Sequence, residues 1–575
     1  MTSVRALVVG FVISSLSFGA WGCGGSVRGS GAANGGTLGD GPTTQGGAGW
    51  TGDASSGVGN SLSGGGRPNG GGNGPSGGGN DSSDAGRSQS SAGTLDGGAA
   101  NASGGDGGAL SGDSGNSSGG STAGKGSASG GAVSNAGAAV GEAGTVGDGG
   151  SAGAAGQSSG SIVVSDNGIA FSSGPSFSVV SETAQVTDTH GKPVAWKASS
   201  DQAWLSVKAG GVAGEALVLQ ASAVGLAPDA VYYAKVAVYP EFGSAAGDEI
   251  RVGLWVGATT PGSMSSLAKT AVALVTDPIR PYVYVHDGGT DLEVYNVYSG
   301  SLVKTIGSVA ARLGSLAISS DGSRLFALDA TNFAIVPIDL DTAKVGTAWP
   351  LTTAINAPLA YARTHGQGLV ISGNGSLYDA ETGTRFAATF SGGYYGSMLV
   401  ATSASGNRLC ALDSGLSPYS LICYPLNFDR AGGNLYVGTG AAGESTGTWG
   451  VGSNGADVAL NRDGTRAFVA SGAPYNFRAY DTSGAPLHVV QILPGDSYPN
   501  NIEVTEQGIS LAGASVWYGS TDIWLYQASG VLLSSHKVAG YARNLLPGQL
   551  KASGDGLRLV ALTSDPKLVF LDATP

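Results

Sequence analysis

Charge is scarce in this chain. Of 575 residues only 12% are charged, against 102 glycines, and the balance is acidic, 28 basic to 41 acidic residues, a formal net charge of -13. That balance excludes capture of a phosphate backbone by counterion release, so nucleic acid is not an expected partner. Histidine is equally thin. His190, His286, His365, His488 and His536 stand far apart without HExxH or comparable ligand spacing, so neither a metal nor another cofactor is expected. Also missing are a Gly-x-Ser-x-Gly nucleophile elbow in the folded region and a Walker lysine pattern in the glycine-rich one. Asp339 and Asp341 alternate as calcium ligands can, but Asp-Leu-Asp-Thr at a strand end reads as a turn.

Apolar residues are absent where a core would need them. From Gly24 to Gly160 the chain is almost entirely Gly, Ser, Ala, Asn, Asp and Thr, with Trp50 its only aromatic residue, and cannot offset its ordering entropy by burial. Residues 23–160 therefore read as a disordered tether, with a span of roughly 60 to 70 Å root mean square. Residues 1–22 read as an export signal: Arg5 gives the positive start, Ala6 to Phe18 is mostly apolar, and the segment is short for a membrane helix. Ala20-Trp21-Gly22-Cys23 resembles a bacterial lipobox, which implies acylation of Cys23 and a lipid-anchored protein of the outer membrane or cell surface. The alternative is an ordinary signal peptide cut after Gly22, because Ala20-Trp21-Gly22 also satisfies the small-x-small rule.

Alternating strands begin near Ser161. Ile162 to Val164, Ile169 to Phe171, Ser176 to Val180, Val194 to Ala198, Trp204 to Val207, Ala216 to Ala221, Tyr232 to Tyr239 and Glu249 to Val256 follow period two, with turn residues between them. This predicts an antiparallel, Ig-like β-sandwich over 161–260. The paired Trp196 and Trp204, the Trp-Leu-Ser-Val strand and the late Tyr-x-Ala-x-Val strand resemble the BACON domain, which implies a spacer or an auxiliary carbohydrate binder. The two tryptophans are either a sugar platform or core, and a sandwich of this size favours core.

The rest of the chain, 261–575, repeats one turn. Its copies are Asp277-Pro278, Asp321-Gly322, His365-Gly366, Ser405-Gly406, Asp463-Gly464, Gln507-Gly508 and Asp555-Gly556, with steps of 44, 44, 40, 58, 44 and 48. The spacing matches a four-stranded propeller blade, so the expected fold is all-β: a seven-bladed β-propeller after the sandwich and the long linker. Within the second copy, Ser315 to Ser319 is the expected innermost strand, then Arg324 to Asp329, Ala334 to Asp339 and Val345 to Pro350 outermost. Asp-Gly-x-Arg-Leu-Phe-Ala and Val-x-Ile-Asp-Leu-Asp-Thr resemble the YVTN family of propellers. The last copy stops one strand short, and Met264 to Lys269 is expected to fill the gap.

Cys410 and Cys423 fall opposite each other if the hairpin through Ser414 to Pro418 turns about its centre, which suits either a disulfide or two buried thiols. The loops on the propeller face opposite the repeated turns carry Tyr394, Tyr395, Trp449, Tyr475, Tyr498, Trp517, Tyr518 and Tyr541, with Arg312, Arg543, Asn500 and Asn501 near the channel mouth. Exposed aromatics around a polar funnel suit a glycan or peptide ligand; the same rings could instead cap gaps between blades. The expectation is a monomeric, non-enzymatic, lipid-anchored binding or adhesion protein. Its rivals are a lactonase-like or lyase-like enzyme using Glu503, Lys551, Asp457 or Arg543 in the funnel, and a structural envelope scaffold without a ligand.

Overall fold

A computed structural model describes residues 160–573 apart from 244–245, 355, 394–396, 415–416, 444–451, 496–497, 506–509, 516–520 and 539–544. The expected signal segment, Cys23 and nearly all of the tether lie outside these residues. Every named element is a β-strand, and among the described residues no helix is long and apolar enough to cross a membrane.

Ten strands form the first unit: β1 (Ile162–Val164), β2 (Gly168–Gly174), β3 (Phe177–Val179), β4 (Ser181–Asp188), β5 (Ala195–Ser200), β6 (Leu205–Val207), β7 (Gly210–Val212), β8 (Ala216–Ala221), β9 (Ala230–Pro240) and β10 (Asp248–Val256). They make two sheets, ordered β1-β4-β8-β6 and β3-β2-β10-β9-β5-β7. All pairs are antiparallel except β2 with β10. Alternation puts Ala234, Val236 and Val238 of β9 inside, against Leu217 and Leu219 of β8, while Lys235 and Tyr239 face out. The sequence reading misses β4 and β7. In β4, Ser-Glu-Thr-Ala-Gln-Val-Thr-Asp, only Ala184 and Val186 are apolar and buried, so the alternation lacks weight; β7 is mostly glycine. Trp196 is buried in the core and Trp204 packs half-buried at its edge, which removes Trp196 as a sugar platform.

Seven further antiparallel sheets are formed by the described residues, the first six laid down from inner to outer edge in chain order and the last likewise except for its outer strand. The inner strands are Ala273–Thr276, Leu313–Ile318, Leu359–Thr364, Leu399–Thr402, Ser453–Leu460, Pro499–Val504 and Leu545–Ala552. Each lies beside the next, and the last lies beside the first, so the sheets close a ring around an axis: a β-propeller. In the second sheet the two middle strands span Arg324–Asp329 and Ala334–Asp339 as expected. The inner strand begins two residues early at Leu313, and the outer edge breaks into Lys344–Val345 and Trp349–Pro350, both paired to Ala334–Asp339. β11 (Met264–Ala268) pairs with Lys567–Asp572, Met264 opposite Leu571, and supplies the outer strand of the last sheet.

The repeated turn has a local cause. Ser319 Oγ donates to Asp321 Oδ1 at 2.6 Å, Ser323 N donates to the same oxygen, and Arg324 N donates to Ser319 Oγ, while Gly322 takes φ +64°. Ser553, Asp555 and Arg558 repeat that arrangement with Gly556 at φ +70°. At the outer hairpins the residue closing the third strand does similar work: Asp339, Asp379 and Asp481 each accept from backbone N–H groups two or three residues on. Asp339 is therefore a turn residue, and Asp341 is held by arginines (below). In the fourth sheet Cys410 and Cys423 face each other in register, with Cα atoms 4.0 Å apart, and are joined by a disulfide inside the core.

Candidate functional site

The sandwich is seated on the propeller face that carries the repeated turns. β2 begins at Gly168, where a Cβ would stand 1.9 Å from Ser320 O, and β10 passes Gly253, where a Cβ would stand 1.9 Å from Ile279 O. Backbone meets backbone at both points, so only glycine fits. Around these points Ser320 Oγ donates to Asn167 Oδ1 at 2.6 Å, and Arg363 binds Asp248 Oδ1 at 2.6 Å and Val164 O at 3.2 Å. Arg462 makes a two-pronged bond to Asp166 and also donates to Thr183 O. Arg251 of β10 reaches Asp341 Oδ1 at 2.8 Å, and the same oxygen accepts from Arg280 Nη2 at 2.5 Å. Tyr298 of the ring stacks against Phe177, with centroids 4.6 Å apart, and against Trp255, and its hydroxyl donates to Asp555.

Arg280 is the hub of this seam. It is 5% exposed, donates to Asp277 Oδ2 at 2.9 Å and to Gly322 O at 2.7 Å, and lies under the ring of the sandwich residue Tyr233. Burial works against its charge, but Asp277 more than offsets that and raises its pKa. Asp277 also accepts from Ile279 N, Arg280 N and Tyr284 Oη, so the first sheet, which lacks the Asp-Gly turn, builds its own from a buried ion pair.

Roofed by the sandwich, the axis holds a chamber of about 290 Å³. Its floor and walls draw on every sheet of the ring, through Thr276, Ser319, Arg363, Ser403, Arg462, Val504 and Ser553, and its roof on Asp166, Asn167 and Glu182. On the other side of Thr402, Glu503 and Lys551, which border both spaces, a channel of about 920 Å³ continues past Asp457 and Gln549 to Arg312 and Asn356. Three of the four ionisable residues read from the sequence as funnel groups meet here, each from a different sheet. Lys551 Nζ donates to Glu503 Oε2 at 3.0 Å, and Asp457 accepts from Ile502 N at 3.0 Å and Val458 N at 2.9 Å. Desolvation pushes the Asp457 carboxyl up to about 6, with the Glu503 charge adding to it and Lys551 and the backbone donors pulling back. Burial draws the Lys551 ammonium down, but Glu503 and Asp457 outweigh it and hold its pKa above the ordinary value. His286 also borders the channel, but Gly288 N donates to its Nδ1 and its Nε2–H is given to Gly314 O; burial lowers its pKa, and the ring is neutral and fully engaged.

At the opposite face stand two of the expected aromatics. Tyr475 caps the hairpin between Arg466–Ala473 and Asn476–Asp481, and Tyr498 precedes the inner strand Pro499–Val504. Their rings meet edge-on, centroids 4.9 Å apart at 70°, and each is close to half exposed. Both backbones are left-handed, φ +59° and +54°, a conformation that costs a bulky side chain about 1–3 kcal/mol and is concentrated at ligand sites. A hydrogen bond with Tyr498 raises the pKa of the Tyr475 hydroxyl. Arg312 is exposed at the channel mouth, where the Asn356 side-chain oxygen accepts from its Nη2 at 3.3 Å. Asn500 and Asn501 do not face the mouth: both are buried, Asn500 donates to Leu545 O of the next inner strand, and Asn501 donates to Asn500. Tyr394, Tyr395, Trp449, Trp517, Tyr518, Tyr541 and Arg543 lie outside the described residues.

No family model and no curated protein matches the chain. Among solved structures, it is similar to the crystal structure of the Myceliophteria thermophila Cps50 (Swd1) β-propeller domain, at 13% identity over 54% of this chain and 98% of that one, with a TM-score of 0.40. At that score the propeller assignment rests on the strand pairing and the closed ring described above.

What sequence reasoning missed is the seam. Its signal was present as arginines beside the repeated turns, Arg280, Arg363 and Arg462, but nothing in their spacing points to Asp166, Asp248 or Tyr233.

Proposed function

We propose that this is a non-enzymatic binding protein, lipid-anchored through Cys23 at the cell surface, with a BACON-like sandwich as a fixed cap and a YVTN-like seven-bladed ring whose uncapped face recognises glycan or peptide. One observation carries the reading. Of the two ring faces, one is occupied by the sandwich, and the other presents two exposed tyrosines held edge-on in a costly backbone conformation. The Ala20-Trp21-Gly22-Cys23 motif supports the anchor.

A glycan and peptide array probed with wild type and with Tyr475→Ala/Tyr498→Ala tests it: hits that the double variant loses support the reading, and hits it keeps unchanged remove the face from consideration. A second reading, catalysis in the channel, is favoured by the raised Asp457 carboxyl beside Lys551 and Glu503. Turnover of any hit, lost in Asp457→Asn, would support that reading instead.

A further inference from the structure

Two charges along the channel have no counterpart. Asp457, buried in the inner strand of the fifth sheet, accepts only from backbone, Val458 N on one carboxylate oxygen and Ile502 N on the other, and no cation among the described residues forms an ion pair with it. Lys551 is committed to Glu503, and Arg462 to Asp166. With Asp457 ionised, the group of Asp457, Glu503 and Lys551 therefore keeps one uncompensated negative charge, and burial of the carboxyl pushes its pKa up to about 6. The neutral His286 ring adds nothing to the balance. The carboxylate faces open space: a Cβ on Gly548 would meet Asp457 Oδ1 at 3.7 Å and no other residue within 4 Å.

Arg312 is the opposite case. Exposed at the mouth, it donates only to the oxygens of Ala330 and Asn356 among the described residues. The inner strands beside Arg312 and through Asp457 run into turns closed alike, Arg324 N donating to Ser319 Oγ and Arg466 N to Asn461 Oδ1. Aligned on those turns, Asp457 lies level with Ser315, three residues deeper than Arg312, or about 10 Å along the strand, and the second and fifth of seven sheets stand nearly opposite across the axis. The rest of the lining is mostly aliphatic, including Leu313, Leu316 and Val458 and the only partly buried Leu399 and Val400. The volume, about 920 Å³, is in the range of sites that hold small ligands, roughly 300–1,000 Å³.

A ligand that answers all three features has a cation at its inner end, an anion at its outer end and an apolar body between them. A peptide of three or four residues with free ends has that form, since an extended chain at roughly 3.3 Å per residue spans the gap. An uncharged or purely anionic ligand would leave Asp457 buried without a cation, which is costly. Building on the peptide branch of the function proposed above, we infer that the channel binds short apolar peptides, with the amino terminus inward on Asp457 and the carboxylate outward on Arg312. The aliphatic walls accept the side chains without reading a sequence, so the length and the two free ends decide what is held.

The test uses the whole protein and pools of di- to hexapeptides of Ala, Val and Leu, each supplied with free ends, N-acetylated or C-amidated, with retention read by mass spectrometry after equilibrium dialysis. Wild type should hold tri- and tetrapeptides best, and should lose affinity at least about tenfold on N-acetylation and about three- to tenfold on amidation, the outer charge being the more solvated. Asp457→Asn should abolish the preference for a free ammonium, and Arg312→Gln that for a free carboxylate, each leaving the other preference in place. The comparison of free with blocked peptides is made on wild type and holds even where a variant melts early. Equal retention of acetylated and free peptides, or an ammonium preference that survives Asp457→Asn, overturns the site and leaves recognition by the exposed tyrosines standing. Free-end preference without a length optimum overturns the two-point span. Silence of every pool overturns the site as well, and the function proposed above then stands or falls on the array alone.

Discussion

The two faces of the ring are built from the same seven sheets and are treated in opposite ways. The turn face is regular, low in aromatic residues and bonded over much of its rim to the sandwich through arginine–aspartate pairs, two glycine contacts and a stacked Phe177–Tyr298–Trp255 group. The opposite face, among its described residues, carries Tyr475 and Tyr498, half exposed on left-handed backbone. Regularity suits permanent docking, because turns of one kind, as at Ser319–Arg324 and Ser553–Arg558, offer a level seat. A ligand site instead needs groups left open to solvent rather than covered, and the half-exposed Tyr475–Tyr498 pair stands at the other end of the same strands.

Removing the hub of the seam should have the largest effect. Arg280→Ala would leave Asp277, fully buried, without its cation, and should cost about 3–5 kcal/mol, read as a fall in urea midpoint. Gly168→Val forces a side chain into the backbone at Ser320 and should cost about 1–3 kcal/mol. It should also split one melting transition into two, as sandwich and ring separate; a single unshifted transition would show that the faces do not differ as described.

The channel between the faces gives a pH signature. The folded-state pKa of Asp457, about 6, lies above that of a free aspartate, so the native state binds the extra proton between roughly pH 4 and 6 and stability from this group falls as pH rises through that window. The expected span is about 2–3 kcal/mol, complete by pH 7. Denaturation midpoints of wild type should show this decline, and those of Asp457→Asn should not. At the tyrosine face, Tyr475→Ala should move stability by no more than about 0.5 kcal/mol, since the ring is exposed and its neighbours are solvated. A large loss there would mean the pair is structural, and the contrast between faces would weaken.

The ring was legible because its signals are local. Asp321-Gly322 and the apolar runs around it lie within a dozen residues, and the short last copy implied that an early strand must complete it, as β11 does. The cysteine pair was placed by hairpin arithmetic for the same reason. The strand β4 escaped because Ala184 and Val186 are too small a stripe to stand out from polar neighbours. The seam escaped for a deeper reason. Gly253 reads as a weak point in a strand until Ile279 O is brought against it, and Asp166 and Arg462 are almost 300 residues apart, so their partnership exists only after both units have formed. Grouping of Asp457, Glu503 and Lys551 was half visible, as residues of inner strands, but their pairing depended on the order in which the sheets close.

β11 has a consequence for the order of events when the chain is made. Met264 is synthesised first among the ring residues and pairs with Leu571, more than 300 residues later, so the outer edge of the last sheet must remain unpaired until synthesis is almost complete. At about 5–20 residues per second that wait is on the order of 15–60 seconds, with a sticky strand edge exposed throughout. The sandwich, finished beforehand, stands next to that strand in the chain. The ring itself cannot close before its final strand is made, and the pair that closes it joins the first strand of the ring to the last.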